Sequence, residues 1–193
     1  MPSRAVECEA RAGGVRLRAV DDRAEWSSLR GEHLRAVERL LQDIDALDEA
    51  AWRRTPAAEK WNPGQIAEHL VLAYDALLSE LGGGQGMRLR KSWWLRLWIR
   101  QRYLPMVLQE GRLPNGAPAV REIRPGPEPR ERRVVVEALR ERSERFEREL
   151  TRAFEAGGRR LTHPYFGRLA PAQTFKLVAV HLEHHRKQIA PVA

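Results

Sequence analysis

A chain of 193 residues can build one domain with a full core and is too short for two comfortable ones. With 42% hydrophobic and 31% charged residues it has a globular composition that excludes long disorder beyond the ends. The formal charge of +8 would point to an anionic partner, but lysine occurs only at Lys60, Lys91, Lys176 and Lys187, so about half of that signal reads as an arginine bias of composition.

Cys8, the single cysteine, excludes an internal disulfide and a thiolate metal site, and a reducing compartment fits. The first twenty residues hold no apolar signal-peptide run, and no window approaches the ~18 uncharged apolar residues of a membrane span, so a cytoplasmic protein is expected. Residues 1–20 alternate charged and small side chains around Gly13-Gly14 and are read as a loosely ordered arm, leaving 21–193 as the domain.

From Asp22 to about Leu47, Leu29, Leu34, Val37, Leu40, Leu41, Ile44 and Leu47 recur at three- and four-residue steps, the pattern of a first helix. After an interruption around Pro56, Asn62-Pro63 reads as an N-cap with proline in the first helical position. The second helix carries Ile66, Leu70, Ala73, Tyr74, Leu77 and Leu81 and stops at Gly82-Gly83-Gly84. Residues 87–104 are basic and hold Trp93, Trp94 and Trp98, with a helix of irregular amphipathicity expected. The prolines and glycines from Gly111 to Pro129 suggest an ordered strap across a bundle. A third helix is expected from about Glu131 to Phe154, a turn at THPYFG, and a fourth helix from Ala170-Pro171 to about Ile189. With no alternating strand pattern visible, the fold class is all-α, a four-helix bundle with one insertion.

In the fourth helix, His181 and His185 lie about 40° apart around the axis and roughly 6 Å along it, on one face. Val178, Leu182 and Ile189 share the inward side, while Lys176, Glu183 and Lys187 lie opposite. His69 is flanked on its own face by Ile66, Ala73 and Leu77 and also looks inward. Three buried imidazoles without partners would each cost roughly 1–3 kcal/mol, which a metal would relieve. A hydrogen-bonded core histidine is the commoner fate of such a residue, and His184, at the edge of the inward face, is a rival to His185. Glu68, beside His69, falls on the solvent side of its wheel and is a weak candidate for a general base.

The stretches WNPGQIAEHL (Trp61 to Leu70), GRLPNGAPAVREIRP and HPYFGRLAPAQTFKLVAVHLEHHRKQI (His163 to Ile189) resemble the DinB-like superfamily, in the branch with an HPYFG turn, over about residues 22–191. The resemblance implies a four-helix bundle with one crossover connection, often dimeric, holding a divalent metal such as Zn or Ni on His69, His181 and His185. His184 is then a neighbour and not a ligand, Gln188 of the HHRxQ run is a group that supports the site or lines its pocket, and helix-surface packing is the equally weighted alternative for Gln188 and Arg186. Tyr165 and Phe166 could line a substrate pocket, although core packing is the simpler role for Phe166.

Three neutral imidazoles leave a dication its charge and an open position, the arrangement of catalytic sites. Relatives in the superfamily include S-transferases that use a low-molecular-weight thiol and proteins described as metal-dependent hydrolases. Thiol transfer to a small-molecule substrate, hydrolysis, and a non-catalytic metal-binding or interaction role are therefore all carried forward. The basic tryptophan segment 87–102 could bind nucleic acid or an anionic membrane. Packing of its tryptophans on the bundle or on a dimer partner is the preferred expectation.

Overall fold

The computed structural model describes residues 4–89, 91–114 and 118–189, with side chains described from Asp22 onward. Arg90 of the basic segment, 115–117 of the strap and the ends 1–3 and 190–193 lie outside the described residues. Four long helices, α1 (Arg4–Asp45), α3 (Pro63–Leu81), α5 (Arg132–Glu155) and α6 (Pro171–Ile189), form the bundle. The short α2 (Glu49–Arg53) follows α1, and α4 (Trp93–Glu110) lies in the connection between α3 and α5.

Local chemistry sets the ends of α3. The Asn62 side chain accepts from Gln65 N at 2.8 Å while the Gln65 side chain accepts from Asn62 N at 3.1 Å, a reciprocal cap with Pro63 in the first turn. At the other end Gly83 takes φ 96°, the left-handed region that glycine reaches without strain. The helix α1 starts at Arg4, within the stretch expected to be a loose arm, whose alanines, arginines and glutamates are good helix formers. Among the described residues its first buried side chain is Trp26.

Ion pairs give the sense of the helices. Glu32–Lys176 (2.6 Å), Arg39–Glu183 (2.6 Å) and Asp43–Arg186 (2.7 Å) advance together along both helices, so α1 and α6 run parallel. Gln65 donates to the carbonyls of Gly126 and Pro127, just before α5, and Asp75 pairs with Arg142 farther along, so α3 and α5 also run the same way. Across α1 and α5 the order reverses, with Arg30 on Glu147 and Asp45 on Arg140. The bundle is therefore up, down, down, up. A parallel α3–α5 pair requires a connection that returns the chain to the starting end, which residues 82–131 supply.

The core is aromatic at its middle. Phe146 and Phe175 are fully buried with ring centroids 5.8 Å apart, His33 lies 5.1 Å from Phe175, and Trp26 stacks on Phe154 at 4.2 Å. Leu40, Ile44, Leu70, Leu139 and Leu182 fill around them, each worth about 1.5–3 kcal/mol by burial.

Where a plain turn is expected, the chain makes a small hairpin, β1 (Leu161–His163) against β2 (Gly167–Leu169), antiparallel with Leu161 opposite Leu169 and His163 opposite Gly167. Three-residue strands are too short to display an alternating pattern. The buried Glu80 carboxylate ties this hairpin to the end of α3, accepting from Thr162 N and Oγ1 at 2.8 Å each. The C-terminal half of α4 buries Leu104 and Val107 against Phe166, Leu169, Leu177 and Val180. Its tryptophans do not pack on this bundle: all three are exposed. The strap passes over α3 through a 3-10 turn at Arg121–Ile123 and meets Trp52, whose Nε1 donates to Arg130 O at 3.0 Å. No helix among the described residues is long and apolar enough to cross a membrane.

Candidate metal centre

Because α3 and α6 run in opposite senses, the second turn of α3 faces the C-terminal half of α6. That brings His69 against His181 and His185, which follow it by more than a hundred residues. His69 Nε2 lies 3.2 Å from His181 Nε2, which in turn lies 3.0 Å from His185 Nε2. One ligand atom from each of the three falls within 4.8 Å of the others, a grouping that could hold a metal ion. His69 and His185 are buried and His181 sits at the boundary.

The outer nitrogens decide which tautomers are present. His69 Nδ1 is 2.6 Å from the Ile123 carbonyl, which can only accept, so Nδ1 carries the proton and Nε2 offers a lone pair inward. His185 Nδ1 is 2.9 Å from Gln188 Oε1, and the Gln188 amide nitrogen donates to His184 Nε2 at 3.1 Å. With the Gln188 amide in this orientation, His185 Nδ1 carries the proton and Nε2 is bare as well. His181 can donate to only one of these two lone pairs. At least one buried lone pair therefore has no protein hydrogen to accept, which is the fit expected of residues arranged around a cation.

The electrostatics agree with neutral rings. Burial lowers the His181 pKa well below 6.5, with His185 and His69 adding to the effect. Burial lowers His185 to about 3, helped by His69 and opposed by its bond to Gln188. His69 is lowered by burial, partly offset by the Ile123 carbonyl. All three are thus neutral at neutral pH, each with one nitrogen able to act as a ligand.

Around this group, the Trp61 ring centroid is 5.1 Å from that of His69. His163 accepts from Tyr165 N and Phe166 N on Nδ1 and stacks on Phe166 at 4.5 Å; burial lowers its pKa to about 4. Tyr165 donates its hydroxyl to Pro118 O, tying the hairpin to the strap, and Phe166 is buried beneath α4. His184 stays outside the group of three. Arg186 is turned to α1, donating to Asp43, and Glu68 lines a groove between α3 and α5 beside Arg130 and Glu137. On the core side of His181 there is a cavity of only about 30 Å³, walled by Leu70, Ala73, Leu77 and Val178.

Two contributors escape a reading of side chains. The Ile123 carbonyl is a backbone group, and the sequence points to it only through the prolines that shape the strap. Trp61 stands one residue before the α3 cap, in the WNPG stretch, where nothing but its neighbour Asn62 hints that it comes near a histidine.

Comparison with curated proteins and with solved structures gives no match. The family model of the DinB superfamily matches residues 32–189, from within α1 to the last residue of α6. Since that span takes in the end of α1, the whole of α3, α5 and α6 and the crossover between α3 and α5, the chain belongs to the DinB superfamily.

Proposed function

We propose that this chain holds one divalent transition metal, Zn or Ni, on Nε2 of His69, His181 and His185 and uses it to join a low-molecular-weight thiol to an electrophilic small molecule. The observation that carries the reading is the convergence of the three rings' ligand nitrogens within 4.8 Å, with His69 Nδ1 bonded to the Ile123 carbonyl and His185 Nδ1 to the Gln188 amide oxygen so that the inner nitrogens face one another. A dication held by neutral nitrogens alone, when bound, keeps its full charge and an open position and favours the deprotonated form of a coordinated thiol or water.

The chain's own residues supply positioning. The Ile123 carbonyl and the Gln188 amide hold two rings in place, and Trp61 packs beside His69. The small cavity behind His181 admits no more than about one water, so substrate is expected from the opposite side. Transfer forms a bond from the thiol sulfur to the electrophilic carbon, the thiol proton passes to solvent, and the leaving group departs with its electron pair. Glu68 lies in the α3–α5 groove, which favours thiol transfer over a hydrolysis needing a carboxylate base.

Metal content of tag-free protein tests the site. The wild type is expected to carry metal, and His69→Ala and His181→Ala to lose it; full stoichiometric metal in both variants would sink the proposal. A screen of electrophiles with low-molecular-weight thiols then tests the reaction. Turnover only with thiol supports transfer, turnover with water alone replaces it with hydrolysis, and metal without either turnover leaves a non-catalytic metal-binding protein.

A further inference from the structure

The first half of α4 carries the largest unpartnered apolar side chains among the described residues. Trp93 is 72% exposed, Trp94 60% and Trp98 55%, with Leu97 at 47% between them. At roughly 100° per residue these four fall within an arc of about 140°, so they form one stripe and not scattered singles. Arg102 borders the stripe on one side and Arg96 on the other, Lys91 lies just before the helix, and residues 87–102 contain no acidic side chain. The helix is held in place from Ile99 onward, where Arg100 donates to Phe166 O at 2.8 Å and Arg168 O at 3.1 Å and Leu104 and Val107 are buried.

We propose that this half of α4 is a docking helix for an anionic lipid bilayer, lying in the interface with its indoles among the headgroups. Tryptophan is the side chain that favours that depth, having an apolar body and one polar N–H. Flanking cations add attraction to acidic lipids, and anionic headgroups supply the charge complement that residues 87–102 lack. A second copy of this chain does not: a two-fold contact through the stripe would set Lys91, Arg96 and Arg102 near their own counterparts with no acid from this segment to pair them. Single-stranded nucleic acid is bound in cationic grooves with aromatic platforms, whereas these indoles stand on an exposed helix flank. The docking is independent of the metal site and of the reaction assigned to it.

The test uses the full chain with vesicles of phosphatidylcholine alone and of phosphatidylcholine containing phosphatidylglycerol, read by co-sedimentation. Binding is expected to the anionic vesicles only and to fall several-fold as salt rises from about 50 to about 500 mM. The double variant Trp93→Ala with Trp98→Ala should lose roughly tenfold or more of the partitioning while keeping its thermal transition, because both side chains are solvent-exposed in the folded chain. Arg96→Glu should weaken binding to anionic vesicles in the same preparation. Failure to bind, equal binding to both vesicles, or undiminished binding by the tryptophan variant would overturn the proposal. Retention on single-stranded DNA in place of vesicles, or a dimer that the tryptophan variant abolishes, would overturn it in favour of those partners.

Discussion

His33 lies at the centre of the bundle at 0% exposure, its Nε2 2.7 Å from the Tyr74 hydroxyl and its rings neighbours Phe146 and Phe175. Its Nδ1 is buried without a partner among the described residues, and burial lowers its pKa to about 4. In the unfolded chain the same ring titrates near 6.5. Between those values the unfolded state binds more protons, so stability is fully present above about pH 6.5 and falls as pH drops toward about 4. The whole gap corresponds to about 3 kcal/mol, of which about 2 kcal/mol is lost by pH 5. Urea unfolding at about pH 7.5 and about pH 5, with a chelator present so that metal occupancy does not enter, compares wild type with His33→Gln. Glutamine can keep the bond to Tyr74 but cannot titrate. The other histidines contribute equally to both proteins, so wild type should lose about 2 kcal/mol more than the variant across that interval. If the two lose stability in parallel, His33 is not a buried neutral imidazole and the packing argument around it is wrong.

Two further substitutions probe the frame and the site. A Cβ at Gly64 would lie 2.6 Å from Pro129 Cβ and 2.8 Å from Trp52 Cε2. Gly64→Ala should therefore cost about 1–3 kcal/mol in urea unfolding despite alanine's better helix propensity, and an unchanged midpoint would deny the close approach of strap, α2 and α3. Gln188→Leu removes the acceptor that keeps the His185 proton on Nδ1, so zinc affinity measured against a chromophoric chelator should fall about 10–100-fold. Gln188→Glu, which keeps an acceptor for His185 Nδ1, serves as the comparison that should retain metal; equal loss in both would mean that the acceptor at 188 does not orient His185.

The parts of the fold that were legible are those with both ends marked. Asn62-Pro63 and Gly82 bracket α3, and Pro171 opens α6, so periodicity between such marks could be trusted. The five-residue α2 and the three-residue strands are shorter than the window in which a period can be seen. The α4 segment misled for a different reason. Its second half buries Leu104 and Val107, while Trp93, Trp94, Leu97 and Trp98 of its first half stay exposed. A helix that changes environment midway shows no single wheel, and of the two expected packings, on the bundle or on a dimer partner, only the first is answered by these exposed tryptophans.

The site was legible only as far as side chains on one helix can show it. That His181 and His185 share a face follows from spacing, but their meeting with His69 depends on α3 running against α6. That opposition follows from the long crossover and not from any residue in either helix. The wheel, on which these two neighbours stand about 100° apart, prefers His185 over His184 only slightly. What separates them is the partner of each outer nitrogen: Gln188 accepts from His185 Nδ1 and donates to His184 Nε2, so one ring presents a bare nitrogen to the cluster and the other has its Nε2 already bonded. The same logic reaches His69 through a backbone carbonyl of the strap. The histidine pattern is therefore necessary and insufficient, because the hydrogen-bond acceptors behind the rings determine which nitrogens are free to bind an ion.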